Sequence, residues 1–112
     1  MLEESRAYAR KIVDGLNASI DHFHAVNYCK SQLKDAGFVE LKEIDAWPKI
    51  EGGKGYYFTR NGSTICAFLA GSQVGKEVVS SFKIIGCHTD SPCLKLAPIS
   101  KVDKYGYRQL NV

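Results

Sequence analysis

The feature that most restricts the fold is a pair of β-rich segments that meet at an Asn-Gly dipeptide. Tyr-Tyr-Phe-Thr-Arg occupies residues 56–60, Ser-Thr-Ile-Cys-Ala-Phe-Leu occupies residues 63–69, and Asn61-Gly62 lies between them. A two-residue hairpin turn needs positive φ at both positions, which Asn and Gly tolerate better than other residues. The sequence therefore predicts an antiparallel hairpin centred on Asn61 and Gly62.

Two helices are predicted before this hairpin. The first runs from Glu4 to about Leu16, because its apolar residues recur at helical spacing. Ser19 or Asp21 is expected to cap the second helix, since either side-chain oxygen can accept from an unpaired amide of the first turn. Gly37 follows the last apolar position and favours a left-handed C-cap. The apolar stripe of the second helix consists of Phe23, Val26, Leu33 and Ala36.

Further strands are predicted at residues 38–41, 82–87, 94–99 and 107–112. The last of these alternates like a strand and then stops without a cap or polar tail, which suggests one piece of a longer protein. The residues expected to form the core are the apolar positions that face inward from these elements. They are Ile12, Val13, Leu16, Phe23, Val26, Leu33, Phe38, Ile65, Ala67, Leu69, Phe82, Ile84 and Leu94.

Composition excludes several classes of protein. The 112 residues are 45% hydrophobic and 24% charged, which is the balance of a globular domain rather than a disordered, collagenous or coiled-coil chain. A net charge of +3, spread along the chain, is too small to indicate nucleic acid or a membrane surface as the partner. No apolar run reaches the roughly 18 to 20 residues of a membrane span. No secretory signal is visible at the start, so reduced thiols are the default for the four cysteines.

Polar and reactive side chains follow the predicted strand at residues 82–87. His88 can offer a neutral nitrogen to a metal, and Asp90, two residues later, can lie on the same side of an extended backbone. A carboxylate in that place can hold the ring in one tautomer. The pattern alone is short, and it is more often a strand-end turn in which Asp90 caps local amides and His88 is solvated.

Other groupings of reactive residues are less specific. Cys87, His88 and Cys93 would be a possible structural zinc site, but a closed site needs four ligands and commonly uses a Cys-x2-Cys pair rather than Cys-x5-Cys. Cys87 and His88 would point to opposite faces of a strand, which disfavours a nucleophile pair. His22 and His24 are two residues apart and so do not share a helical face. Arg60 is expected to be a solvated charge at a strand end, and the sparse charges from Lys95 to Arg108 are expected to form an exposed face.

The segment at residues 82–112, FKIIGCHTDSPCLKLAPISKVDKYGYRQLNV, resembles the region around the first zinc ligand of the aspartyl aminopeptidases. The likeness continues upstream in the same order, and therefore covers nearly the whole chain. The matching upstream motifs are Phe23-His24-Ala25-Val26, Ala36-Gly37-Phe38, Leu41-Lys42-Glu43 with Trp47, and Tyr57-Phe58-Thr59-Arg60-Asn61 with Ala67-Phe68.

The resemblance implies an α/β fold, the opening part of a three-layer zinc-peptidase-like core with two N-terminal helices followed by a hairpin and mixed sheet strands. It implies that residues 1–112 are the N-terminal part of a metallo-aminopeptidase catalytic domain. His88 would then be a zinc ligand, and Asp90 would be the catalytic carboxylate that orients it. The family is cytoplasmic and homo-oligomeric, holds two zinc ions, and removes N-terminal Asp or Glu from peptides.

Departures from the family pattern limit what the chain is expected to do alone. The general-base Glu and the other metal ligands of the family lie downstream of this motif, so the isolated chain is predicted to be inactive. Cys87 replaces a small residue, and residues 19–23 lack the prolines that are common before Phe-His. Two alternatives remain: a short non-catalytic module that assembles with full-length subunits, and a small domain with a Cys/His structural metal site.

Overall fold

The chain forms two helices, a three-stranded sheet and a separate two-stranded hairpin. A computed structural model describes residues 2–75 and 81–112. The elements in chain order are α1 (Leu2–Ala18), α2 (His22–Asp35), β1 (Val39–Glu40), β2 (Gly55–Arg60), β3 (Thr64–Leu69), β4 (Lys101–Lys104) and β5 (Tyr107–Leu110). This order, two helices followed by mixed strands, confirms the predicted α/β class.

The boundaries of α2 follow from its capping residues. Asp21 has an extended backbone, and its carboxylate accepts the backbone N–H of His24 at 2.8 Å, so Asp21 is the N-cap. Gly37 ends the helix with a φ of 80°, and the amide of Phe38 donates to the carbonyl of Leu33 at 2.9 Å. A left-handed residue with this bond is a common helix C-cap, so both predicted cap positions are correct.

The three-stranded sheet has the order β1-β2-β3 and contains both kinds of pairing. β1 runs parallel to β2, with Val39 opposite Tyr56, and β2 pairs antiparallel with β3. Asn61, Gly62 and Ser63 connect β2 to β3, and the φ angles of Asn61 and Gly62 are 51° and 66°. Both angles are positive, as a tight hairpin turn requires, so the predicted hairpin is confirmed.

The packed centre of the molecule is the start of β2. Tyr56 and Tyr57 are 3% and 2% exposed, and they point to opposite faces of the sheet. On one face Tyr56 stacks on Phe68, with ring centroids 5.5 Å apart. On the other face, Tyr57 donates its hydroxyl to Glu40 at 3.4 Å, and Lys30 of α2 contacts the same carboxylate at 2.7 Å. Both faces of β2 are therefore covered, although the whole sheet has only three strands.

Trp47 covers the same face of the sheet as Tyr56. Its indole ring lies 5.5 Å from the ring of Phe58 and 6.3 Å from that of Phe68, measured between centroids. Its Nε1–H donates to the carbonyl of Lys42 at 2.9 Å, which fixes the connection between β1 and β2 over the sheet. Leu41 and Ala70 are buried beside Tyr56 and complete this small core.

The predicted strands at residues 82–87 and 94–99 are wrong. Residues 81–99 contain neither helix nor strand, and Ile84 and Ile85 are 87% and 97% exposed. A strand exists only where a neighbouring strand pairs with successive amides and carbonyls, and residues 81–99 pair with none of the described strands. A single backbone bond, from the amide of Ala97 to the carbonyl of Asn111 at 3.0 Å, does not make a ladder. The prediction relied on β-propensity, which does not supply a partner.

The predicted core is correct for only some of its members. Val26 is 1% exposed, and Leu33, Phe38 and Ile65 are half-buried. The other predicted core residues are exposed because no described element packs over the faces on which they lie. They are Ile12, Val13, Leu16, Phe23, Ala67, Leu69, Phe82, Ile84 and Leu94.

The strand predicted at residues 107–112 forms over Tyr107–Leu110 and pairs antiparallel with β4. Tyr105 and Gly106 make the turn of this second hairpin with φ angles of 55° and 76°. The Cα radius of gyration of 20.1 Å compares with about 13 Å for a compact domain of this length. The chain therefore contains one packed region with extended segments attached to it. Neither described helix is long and apolar enough to span a lipid bilayer.

Candidate functional site

Three separate parts of the sequence line an open depression on the surface. They are the first residue of α2, the turn between β2 and β3, and the segment that carries the predicted metal ligand. His22 comes from the first part, Ser63 from the second, and His88, Asp90 and Lys95 from the third. The depression therefore brings the two predicted site residues together with groups that the sequence did not connect to them.

His88 and Asp90 are in contact, mainly through the backbone of Asp90. The Nδ1 atom of His88 lies 2.8 Å from the carbonyl oxygen of Asp90 and 3.5 Å from its carboxylate Oδ1. A carbonyl oxygen can only accept, so Nδ1 carries the proton and donates it. In the neutral ring this leaves the lone pair on Nε2, which is the nitrogen that can bind a metal. Both side chains are exposed, at 85% and 74%, so the ring is not packed into the interior.

Thr89 attaches this segment to the hairpin. Its Oγ1 donates to the carbonyl oxygen of Ser63 at 3.3 Å. Thr89 is half-buried, whereas the residues on either side of it are exposed. The residue between His88 and Asp90 is thus held against the turn of the packed sheet.

Lys95 attaches the same segment to the start of α2. Its Nζ lies 3.0 Å from Nδ1 of His22 and 5.9 Å from the centre of the Phe23 ring. An ammonium group can only donate, so His22 accepts at Nδ1 and its ring is neutral in this contact. Sequence reasoning missed the contact between these two residues, because 73 positions separate them and no local pattern links them.

The remaining candidate residues have structural partners. Asp21 also accepts from the ring Nδ1 of His24 at 2.9 Å, and with the backbone N–H of His24 this lowers the pKa of Asp21 to about 2. Arg60 is not simply solvated, because it forms a fork of hydrogen bonds with Glu43 that lowers the pKa of that carboxylate. These contacts account for the positions of His24 and Arg60, so neither residue needs a catalytic role to explain it.

The cysteines do not form a metal centre with His88. Cys87 and Cys93 are exposed free thiols. Within residues 2–75 and 81–112, no three side chains of His, Cys, Asp or Glu are close enough together to hold a metal. The structural zinc site considered for Cys87, His88 and Cys93 is therefore not present in this geometry.

The two predicted site residues fit zinc by chemistry but not by number. A neutral imidazole with a free Nε2 and a carboxylate are both normal zinc ligands, and the bond from Nδ1 to an acceptor is the usual outer contact of a metal-binding histidine. Zinc sites in proteins use three or four such ligands. His88 and Asp90 are thus fewer donors than a zinc site uses.

Comparison with known proteins identifies the family of this chain. The sequence model described as "Aminopeptidase I zinc metalloprotease (M18)" matches residues 16–112. The chain belongs to the M18 family. The resemblance to aspartyl aminopeptidases inferred from the sequence is therefore confirmed.

Relatives within the M18 family are similar over most of this chain. It is 48% identical over 103 residues to a probable aspartyl aminopeptidase of Ricinus communis, covering 90% of this chain and 20% of that protein. It is 38% identical over 111 residues to the aspartyl aminopeptidase of Dictyostelium discoideum, covering 99% of this chain and 22% of the relative. The chain thus spans about a fifth of the length of these M18 relatives.

Solved structures give the same assignment for the fold. A chain in the cryo-EM structure of the Ape4 and Nbr1 complex superposes with a TM-score of 0.83 at 39% identity. That match covers 96% of this chain and 20% of the other. Chaetomium thermophilum mApe1 has a TM-score of 0.55 at 41% identity and covers 58% of this chain and 15% of the other. The observed elements are therefore the opening of an M18-type α/β core.

Proposed function

We propose that residues 1–112 are the N-terminal part of the catalytic domain of a zinc aminopeptidase, and that the complete enzyme removes N-terminal Asp or Glu from peptides. The observation that carries this proposal is the geometry of His88, whose Nδ1 is bonded to the carbonyl of Asp90, which leaves Nε2 free in a side chain that lines an open depression. Membership in the M18 zinc metalloproteases supports the reaction, and the names of the relatives support the acidic substrate.

His88 acts in this proposal as a neutral ligand to zinc through Nε2. Asp90 holds the ring, because its carbonyl accepts the Nδ1 proton at 2.8 Å and its carboxylate lies 3.5 Å from the same atom. A negative group at that distance raises the basicity of Nε2 and keeps the ring from turning. Bound zinc would supply a Lewis acid for the scissile carbonyl and an acidified water, and the complete family site holds two such ions.

The chain alone is proposed to be inactive. One imidazole and one carboxylate are fewer donors than a tight zinc site uses, and the affinity of such sites comes from the complete ligand set. The complete protein is further proposed to be a cytoplasmic homo-oligomer, as is implied by the family resemblance.

A chimera provides the direct test. The matched 103 residues of the Ricinus communis relative, which are 48% identical, would be replaced by those of this chain. The chimera should bind zinc and release p-nitroaniline from aspartyl-p-nitroanilide much faster than from leucyl-p-nitroanilide. His88→Ala should abolish the activity, and Asp90→Asn should lower kcat/KM by about 10- to 100-fold, as expected for loss of an outer contact to a metal ligand.

The control is Lys101→Met, which removes a charge from the distant hairpin where Lys101 contacts Asp103 at 3.5 Å. This variant should keep the activity of the chimera. A chimera of correct size that retains activity after His88→Ala would refute the role of His88. Equal rates on the aspartyl and leucyl substrates would refute the acidic specificity but not the peptidase assignment.

A further inference from the structure

The segment that carries His88 has no strand pairing to hold it. Residues 81–99 form neither helix nor strand, and the side chain of His88 is 85% exposed. A ligand on such a segment has a defined direction only if side-chain contacts hold the backbone near it. The contacts of Thr89 and Lys95 are therefore important for the direction of the His88 ring.

We infer that Thr89 and Lys95 are positioning residues that fix the His88 ring by tying its segment to the hairpin turn and to the start of α2. The inference rests on the proposed role of His88 as a zinc ligand. It concerns residues that neither the family match nor the sequence motif assigns to the site.

The contact of Thr89 acts on the atoms that orient the ring. Thr89 lies between His88 and Asp90, and its hydroxyl donates to the carbonyl of Ser63 at 3.3 Å. The ring of His88 bonds to the carbonyl of Asp90, so its direction depends on the conformation of the backbone from residue 88 to residue 90. Anchoring Thr89 holds this short stretch and therefore fixes the direction of the His88 ring, which lines the depression.

The contact of Lys95 holds the other end of the same segment. Its ammonium lies 3.0 Å from Nδ1 of His22 and 5.9 Å from the centre of the Phe23 ring. Because His22 is neutral in this contact, the bond is a hydrogen bond rather than a pair of opposite charges. Two attachment points six residues apart restrict the segment more than either point alone.

Both attachment points belong to one packed unit. The ring of Phe23 lies 3.5 Å from the position that a Cβ would occupy on Gly62, so the start of α2 contacts the hairpin turn. The segment is consequently held against a surface formed by Phe23, Gly62 and Ser63. A shift of that surface would move Thr89 and Lys95 together, and His88 with them.

The test uses the 112-residue chain with 15N-labelled histidine at pH 8. Long-range proton–nitrogen NMR spectra identify the nitrogen of His88 that carries the proton. The wild-type chain should show the Nδ1–H form of His88 and the Nε2–H form of His22. Thr89→Val should move His88 toward a mixture of both forms, and Thr89→Ser should restore the wild-type spectrum.

Zinc supplies a second measurement on the same samples. Titration with zinc chloride should shift the His88 ring signals, and Thr89→Val should raise the concentration needed by about threefold, less than the 10- to 100-fold typical of complete sites. Lys95→Met should also raise the zinc concentration needed, but by a smaller factor. Lys95→Arg should raise it by less than Lys95→Met does. Ser91→Ala and Lys101→Met are the matched controls, and neither should change the spectrum of His88.

Unchanged amide shifts in β2 and β3 would show that each variant keeps the packed sheet. An unaltered His88 tautomer in Thr89→Val would overturn the inference, and so would a serine variant that fails to restore it. If His88 does not respond to zinc in the wild type, the tautomer still decides whether Thr89 positions the ring. The proposed function is decided separately, by the activity of the chimera.

Discussion

The β2–β3 hairpin and the segment of residues 82–96 are both rich in apolar and β-branched residues, yet they differ completely in structure. In the hairpin, Tyr56 and Tyr57 are almost fully buried and every residue from Gly55 to Leu69 lies in a strand or the turn. In the segment, Ile84 and Ile85 are almost fully exposed and no strand forms. The two regions differ in how far along the sequence the pairing partner lies. In the hairpin, the partner of β2 is the stretch of chain that follows the turn directly.

This contrast shows where the free energy of folding of this chain comes from. A hairpin closes a short loop, and β2 also gains β1 on its other edge and α2 on one face. Apolar residues contribute to stability only when another surface removes them from water. The stability of the chain should therefore depend on the hairpin region and be nearly independent of residues 82–87.

The largest expected effect comes from truncating one side chain in each region. Tyr57→Ala should lower the free energy of unfolding by about 3 kcal/mol, because it leaves a cavity under α2 and removes the hydroxyl bond to Glu40. Ile85→Ala should change it by less than about 0.5 kcal/mol, since that side chain is 97% exposed. Urea unfolding followed by far-ultraviolet circular dichroism measures both values, and equal losses would contradict the contrast.

A smaller difference is expected between two glycines. Gly62 has a φ of 66°, and Gly62→Ala should cost about 1–2 kcal/mol because a Cβ is strained in that conformation. Gly86 is not in the left-handed region, and a Cβ there would meet open space, so Gly86→Ala should be almost neutral. The same urea experiment tests the pair. A costly Gly86→Ala would mean that the segment is packed in solution.

The smallest expected effect is a pH dependence at the N-cap of α2. The pKa of Asp21 is about 2 in the folded chain against 3.8 for an ordinary aspartate, because the carboxylate accepts from His24. The cap therefore contributes fully above about pH 4, and its contribution is lost as the pH falls through about 2. Asp21→Asn keeps an N-cap oxygen and should flatten this part of the stability curve. If the variant and the wild type lose stability in parallel below pH 4, Asp21 is not the group responsible.

The local features of the fold could be predicted from the sequence, and the long-range ones could not. Asn61-Gly62, the cap at Asp21 and the glycine at position 37 act over a few residues, so their patterns are visible in the chain. The burial of Tyr56 and the exposure of Ile84 depend on which elements pack against each other, and the sequence around each residue does not indicate this packing. The predicted core therefore failed for α1, for residues 82–94, and for Phe23, Ala67 and Leu69.

The candidate site follows the same division. His88 and Asp90 could be predicted as site residues because they lie two residues apart in a motif that resembles the M18 family, and that prediction stands as a proposal. The contact of Lys95 with His22 was missed because it joins residues at opposite ends of the sequence. Thr89 was inside the motif, but its bond to Ser63 requires the hairpin to be folded first.

The position of Trp47 determines which part of the molecule can be monitored by intrinsic fluorescence. It is the chain's single tryptophan, and its indole rests against Phe58 and Phe68 of the packed sheet. Its fluorescence will report the melting of that sheet and will give almost no signal from the loop that carries His88. An optical unfolding curve would thus describe the packed sheet, and a fluorescent probe for the loop that carries His88 would have to be introduced near position 88.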